Sequence, residues 1–286
     1  MRAVPVIVRY ALRESLRRKV FLVVLLLTAA FLAVYGLATW RAFSDTQGFV
    51  GRDSPIDIQP QELTGATVFG LAMFATLFLS AVLAIFLTLG VVRGDAERGL
   101  LQPLVVRPVG RSTLLVARFL GAAAVCVAYT FGLYFSALLI TGGVGGWWPD
   151  SIAVPALELA GGVVIVVALS LLGSVFLSAT ANGIAIFMVF GGGIVAGLIG
   201  QIGRTINSHT LSSIGKGGSW AFPFEALYQD GLHSITQNTT GFASFALRLG
   251  PFGGAQVGGT LLFVWAAAYV GLVGAAALAG FARRDL

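Results

Sequence analysis

Few residues in this chain are equipped for covalent or metal chemistry. His209 and His233 are its only histidines and Cys126 its only cysteine, so neither a cysteine metal cluster nor an intrachain disulfide can form. The two histidines have no cysteine or methionine cluster near them and read as ordinary loop residues rather than ligands. Asn238-Thr239-Thr240 has the form of a glycosylation acceptor, which we attribute to chance. No GxxxxGK[ST] run occurs, so the chain has no phosphate loop with which to bind ATP. Glu158 stands near the start of an apolar segment, where a carboxylate is either an interfacial residue or a functional one. An intramembrane enzyme would need a catalytic pair within an apolar run, and neither histidine lies in one.

The elements that position these groups are apolar. The chain is 57% hydrophobic and 10% charged, too little charge to cover a soluble domain of 286 residues. Its mean hydropathy is +0.91. The 38 glycines sit largely inside apolar runs, where small residues let helices approach closely. About twenty apolar residues cross a ~30 Å hydrocarbon core as a helix. Six segments meet that length: 20–40, 65–92, 114–141, 152–178, 183–203 and 258–282. The fold class expected is therefore an all-α membrane protein, with residues 1–286 forming a single transmembrane domain. The first segment follows Arg17-Arg18-Lys19 as a signal peptide would, but it is longer and lacks a small-x-small cleavage site, so it reads as a retained span. Ala179-Thr180-Ala181-Asn182 is expected to form the turn between the fourth and fifth spans. Trp147 and Trp148 read as interfacial anchors.

Charge sets the expected orientation. Of the 18 Lys and Arg residues, thirteen fall on the side of the N-terminus: Arg2, Arg9, Arg13, Arg17, Arg18, Lys19, Arg93, Arg98, Arg107, Arg111, Arg118, Arg283 and Arg284. The remaining Arg41, Arg52, Arg204, Lys216 and Arg248 fall on the other. By the positive-inside rule both termini are cytoplasmic, in a multi-pass protein of the cytoplasmic membrane. The net charge of +6 is thus an orientation signal, and nucleic acid is not an expected partner.

Four extramembrane elements follow. In residues 1–19, Arg9, Arg13 and Arg17 share a sector of roughly 80° with Arg2, opposite Val4, Ile7 and Val8. This stretch is expected to be an amphipathic helix lying on membrane lipids, the plainer reading being a topology-setting basic tail. The loop 41–64 is polar. The outer segment 204–257 is expected to hold short helices near Ala221–His233 and Thr240–Leu249, lying on the membrane surface as a lid. The inner loop 93–113 is more elaborate than a connector. Asp95 and Glu97 favour a helix start, Leu100, Leu101, Leu104 and Val105 repeat at helical spacing, Pro108 ends that helix, and Gly110 permits the turn into the third span.

That loop, RGDAERGLLQPLVVRPVGRSTLLVARFLG, resembles the first inner loop of six-span ABC exporter permeases, the ABC-two superfamily. The residues that carry the likeness are Glu97, Gly99, Leu100, Leu101, Arg107, Pro108, Val109, Arg111, Arg118 and Gly121. Leu100 stands where the family commonly has Thr, and Arg118 where it commonly has Lys. The ending Phe281-Ala282-Arg283-Arg284-Asp285-Leu286 is similar to that of permeases assisting copper-site maturation of nitrous-oxide reductase. The resemblance implies that Glu97, Arg98, Gly99, Leu100, Leu101, Arg107, Pro108 and Arg111 form a coupling helix docking on a separate ABC ATP-binding subunit. It further implies a second permease copy, identical or paralogous, with ATP and Mg held by the partner ATPase and no cofactor on this chain.

The expected function is that of a permease moving a hydrophobic or amphipathic substrate outward at the cost of a partner's ATP. The spans' polar groups are few: Thr76, Ser80, Thr88, Thr130, Ser136, Ser170, Ser174, Ser178 and Asn182. The alternatives are a membrane scaffold or an ion-gradient-driven secondary carrier. A carrier should show repeats, broken helices and mid-span acids, and the sequence shows no such acid.

Overall fold

The computed structural model describes residues 19–47, 60–89, 111–235 and 258–283. Every regular element among them is an α-helix. In chain order these are α1 (Lys19–Gln47), α2 (Pro60–Thr88), α3 (Arg111–Gly145), α4 (Ala153–Phe176), α5 (Ala179–Thr205), α6 (His209–Ala221), α7 (Pro223–Ser234) and α8 (Thr260–Ala282). Six of them, α1 to α5 and α8, are long and apolar enough to cross a membrane. They coincide with the six expected segments, since a span is defined by local length and apolarity.

The helices differ sharply in how much neighbouring protein covers them. In α2 and α4, 67% of the most apolar stretch is buried, against 17% in α1 and α8. The central pair therefore carries the core, and the outer helices present leucines such as Leu26, Leu37 and Leu261 outward. Burial in α2 and α4 falls on small and hydroxylated residues as much as on large ones: Ala72, Thr76, Ser80, Ala84 and Thr88 on α2, and Ala156, Gly162, Ser170 and Ser174 on α4. Small side chains bring the backbones close, which is how helices gain contact where lipid removes the hydrophobic advantage.

Several hydroxyls of the spans join helices to each other. Thr88 Oγ1 meets Ser170 Oγ at 2.5 Å between α2 and α4. Thr130 Oγ1 meets Ser80 Oγ at 2.9 Å between α3 and α2, and Tyr35 OH meets Thr141 Oγ1 at 2.5 Å between α1 and α3.

One local expectation is corrected. The reversal between the fourth and fifth spans lies at Leu177-Ser178, and Ala179–Asn182 is already the first turn of α5. Ser178 caps that turn by accepting the Ala181 N–H at 3.4 Å. Asn182 is buried and donates to the Ser170 carbonyl at 2.9 Å. Trp148 is exposed, but Trp147 turns inward against Phe69 of α2, with ring centroids 6.2 Å apart.

Candidate functional site: a re-entrant hairpin and its cavity

Most of the sequence-derived site falls outside the described residues. This holds for Arg9, Arg13 and Arg17 of the expected interface helix, and for Glu97, Arg98, Gly99, Leu100, Leu101, Arg107 and Pro108 of the expected coupling helix. Of that set only Arg111 is described, as the first residue of α3. His209 opens α6 and His233 lies in the last turn of α7. Among the described residues no group of three or more His, Cys, Asp or Glu is gathered to hold a metal.

The structure instead brings together residues from the end of the bundle that the charge count assigns to the outside. After α5 the chain reverses at Ile206–Ser208, with Asn207 in the left-handed region at φ 53° and Ser208 N–H donating to the Gly203 carbonyl at 2.7 Å. Helix α6 then runs back along α5. Glycines at positions 193, 197, 200 and 203 form one buried stripe of α5. Gly215 and Gly218 of α6 lie against this stripe and Ala196, and a Cβ on Gly200 would stand 2.8 Å from the Gly215 Cα. Only glycine on both helices permits that approach. At Phe222-Pro223 the chain turns again, with proline at the first position of α7, where its missing N–H costs nothing.

Helix α7 climbs back between α4 and α5. Its Phe224 carbonyl stands within 3.3 Å of where a Cβ on Gly162 would be, and the Phe224 ring stacks on Phe190 with centroids 5.4 Å apart. Gly193, also beside Phe224, is twelve residues from the end of α5, which puts the hairpin tip about 18 Å below that end. At the other end of α7, Asp150 N–H reaches the Ile235 carbonyl at 3.4 Å. So α6 and α7 form a re-entrant hairpin. The segment near Ala221–His233 is helical as expected, but it is packed inside the bundle rather than laid on its surface. Helix α7 is tolerated at depth because it is buried in protein from Pro223 onward.

The hairpin carries charge inward. Glu225, 2% exposed, lies against Gly197 and is hydrogen-bonded by Gln229 Nε2 one turn later. Burial pushes its carboxyl up to about 7, against the lowering pull of Gln229, the Arg204 charge and the Ser219 hydroxyl. Burial also pushes the Tyr228 phenol up, and the Glu225 carboxylate adds to that shift. The Tyr228 hydroxyl has no hydrogen-bond partner among the described residues.

Glu158 of α4 is 1% exposed, and neither carboxyl oxygen has a hydrogen-bond partner among the described residues. It faces Gly231, where an added Cβ would stand 2.9 Å from Oε2, and lies beside Asp230. The sequence left its depth open; the structure buries it against α7.

Helix α8 closes the arrangement at two points. Asp230 Oδ1 accepts the Gly258 N–H at 2.8 Å, just before Gly259, whose φ of 68° with ψ of 167° is a conformation open essentially to glycine. Trp265 Nε1 donates to the Trp220 carbonyl at 3.0 Å, and the two indoles lie 5.4 Å apart. Between these ties is a cavity of about 310 Å³, lined by Arg204, Lys216, Ser219, Trp220, Glu225, Gln229, Leu261, Leu262 and Trp265, among others. The glycine spacing was the signal available in the sequence. It acquires meaning only once α6 is known to run antiparallel to α5.

A family model described as ABC-2 family transporter protein matches residues 6–286. The chain belongs to that family and is a multi-pass membrane component of an ABC transporter, not itself catalytic. Members of the family generally work with an ATP-binding subunit. No curated protein matches the chain.

Proposed function

We propose that this ABC-2 family member is the permease subunit of an ATP-driven exporter that moves a hydrophobic or amphipathic substrate outward across the cytoplasmic membrane. The observation that carries the reading is the family match over residues 6–286 together with six apolar helices and no phosphate loop. Energy must then come from a separate ATPase, and the loop 93–113 is the part suited to receive it. Glu97, Arg98, Gly99, Leu100, Leu101, Arg107, Pro108 and Arg111 make that contact, with Arg9, Arg13 and Arg17 flanking it on the inner leaflet. Two permease copies, identical or paralogous, work with two ATPases that hold the ATP and Mg. The tail Phe281–Leu286 supports kinship with the permeases of nitrous-oxide-reductase copper maturation.

The test is ATPase activity of the chain co-purified in lipid with its ATP-binding subunit, with and without Glu97→Ala plus Arg107→Ala. Loss of assembly, or hydrolysis freed from the permease, is the expected result. An ATPase bound and regulated as before by the double variant would sink the coupling assignment.

One observation favours a second reading, the ion-gradient-driven carrier. Glu158 and Glu225 are buried, and the latter sits on a broken, re-entrant element of the kind carriers use. Transport into inverted vesicles separates the two: an exporter stops without ATP and persists with a protonophore, and a carrier does the reverse.

A further inference from the structure

The cavity beneath Arg204 and Lys216 is divided by polarity. Arg204, in the last turn of α5, and Lys216 of α6 are exposed cations, and long basic side chains can reach a polar boundary while their stems stay in apolar surroundings. Trp220 and Leu261 line the cavity and are 61% and 76% exposed, so the cavity has an apolar, uncovered side. The deep wall is Glu225, whose carboxyl is already hydrogen-bonded by Gln229. Two cations thus stand at a cavity whose nearby carboxyls are both engaged, Glu225 by Gln229 and Asp230 by the Gly258 N–H, which leaves Arg204 and Lys216 available at a site with an apolar lateral opening. At about 310 Å³ the space is at the low end for ligand sites, enough for a headgroup but not for a headgroup with its chains.

We propose that this cavity binds the anionic headgroup of a lipid-like amphiphile, with Arg204 and Lys216 on its phosphate-type oxygens. The chains leave between Trp220 and Leu261 into the bilayer. The cavity exists because the hairpin is re-entrant, since α6 and α7 supply two of its walls and α5 and α8 the others. The assignment stands without the exporter reading, because binding needs neither ATP nor a partner. The same anionic chemistry could come from a free phosphate or from a lipid, and the chain-lined opening favours the lipid.

The experiment uses the full chain in phosphatidylcholine nanodiscs, titrated with dibrominated phosphatidylglycerol or dibrominated phosphatidylcholine. Bromine quenches nearby indoles, and the signal of Trp220 and Trp265 is taken as the difference from the Trp220→Phe plus Trp265→Phe chain. Saturable quenching by phosphatidylglycerol is expected, weakened roughly tenfold or more by Arg204→Gln plus Lys216→Gln, as for loss of charge-assisted hydrogen bonds. Arg204→Lys plus Lys216→Arg should retain it, and a thermal melt confirms that each variant is folded. Equal quenching by both lipids, or unchanged affinity in the folded glutamine variant, overturns the proposal. Displacement of the lipid by millimolar inorganic phosphate alone would also overturn it, by showing a simple anion site.

Discussion

The α2–α4 pair and helix α7 of the hairpin are both buried, while α6 is largely exposed, and the two regions are built on opposite terms. The pair is apolar apart from Glu158 of α4, and Thr88 and Ser170 meet across its interface. The hairpin brings Glu225, Gln229 and Asp230 inside, and its seat on α5 is almost without side chains, glycine stripe on glycine stripe. A core made of many small contacts tolerates the loss of any one of them. A seat made of backbone approach tolerates no added atom, and its buried charges make its stability depend on pH. The pair reads as scaffold and the hairpin as the element whose position can be shifted.

The contrast is broken most directly by filling the glycine seat. Gly200→Val places atoms where the Gly215 backbone lies, and a loss of about 3 kcal/mol or more is expected, with new proteolysis near the 206–208 turn. Gly192→Ala, on the same helix but facing open space, should leave the melting temperature within the range of ordinary surface changes. Equal effects at the two positions would mean that the hairpin is not seated on this stripe.

A second measurement separates the regions by pH. The folded-state pKa of Glu225 is raised from 4.5 to about 7, so the folded form favours the protonated carboxyl. The stabilisation is therefore full below about 4.5 and is lost as pH rises through about 7. Melting of the wild type in lipid should fall across that window by more than melting of Glu225→Gln. The Arg204 charge lowers the Glu225 carboxyl, and Arg204→Gln should move the loss to higher pH. A wild-type profile parallel to that of Glu225→Gln would refute the assignment.

Smaller again is the effect at Glu158. Its two carboxyl oxygens meet no donor among the described residues and lie beside the Asp230 carboxyl, so Glu158→Met, similar in length and apolar, should raise stability by about 1–2 kcal/mol. A lower melting temperature would show that the carboxyl is satisfied in the working protein and that its burial serves a bound group. The least change is expected at the Thr88–Ser170 contact of the central pair. A double-mutant cycle on Thr88→Val and Ser170→Ala should return a coupling of about 0.6 kcal/mol, the usual worth of an interhelical hydrogen bond in a membrane. A coupling several times larger would make the pair, too, a polar device.

What the amino-acid sequence by itself determined was whatever depends on local length and composition. The six spans are legible because an apolar run near twenty residues has one stable fate in lipid, whereas the reading of loop 93–113 concerns residues that lie almost wholly outside those described. The hairpin was not legible in the same way. Residues 209–234 are too polar and too short in each half to read as a span, and Glu225 looks like an ordinary loop acid. The depth of Glu158 could not be read either, because the same residue near a helix end is solvated or buried according to what packs over it. Only the tertiary structure decided that α7 packs there. The physical reason is that a glycine stripe, a buried acid and a cavity are properties of two or more helices in register, and no single segment contains them.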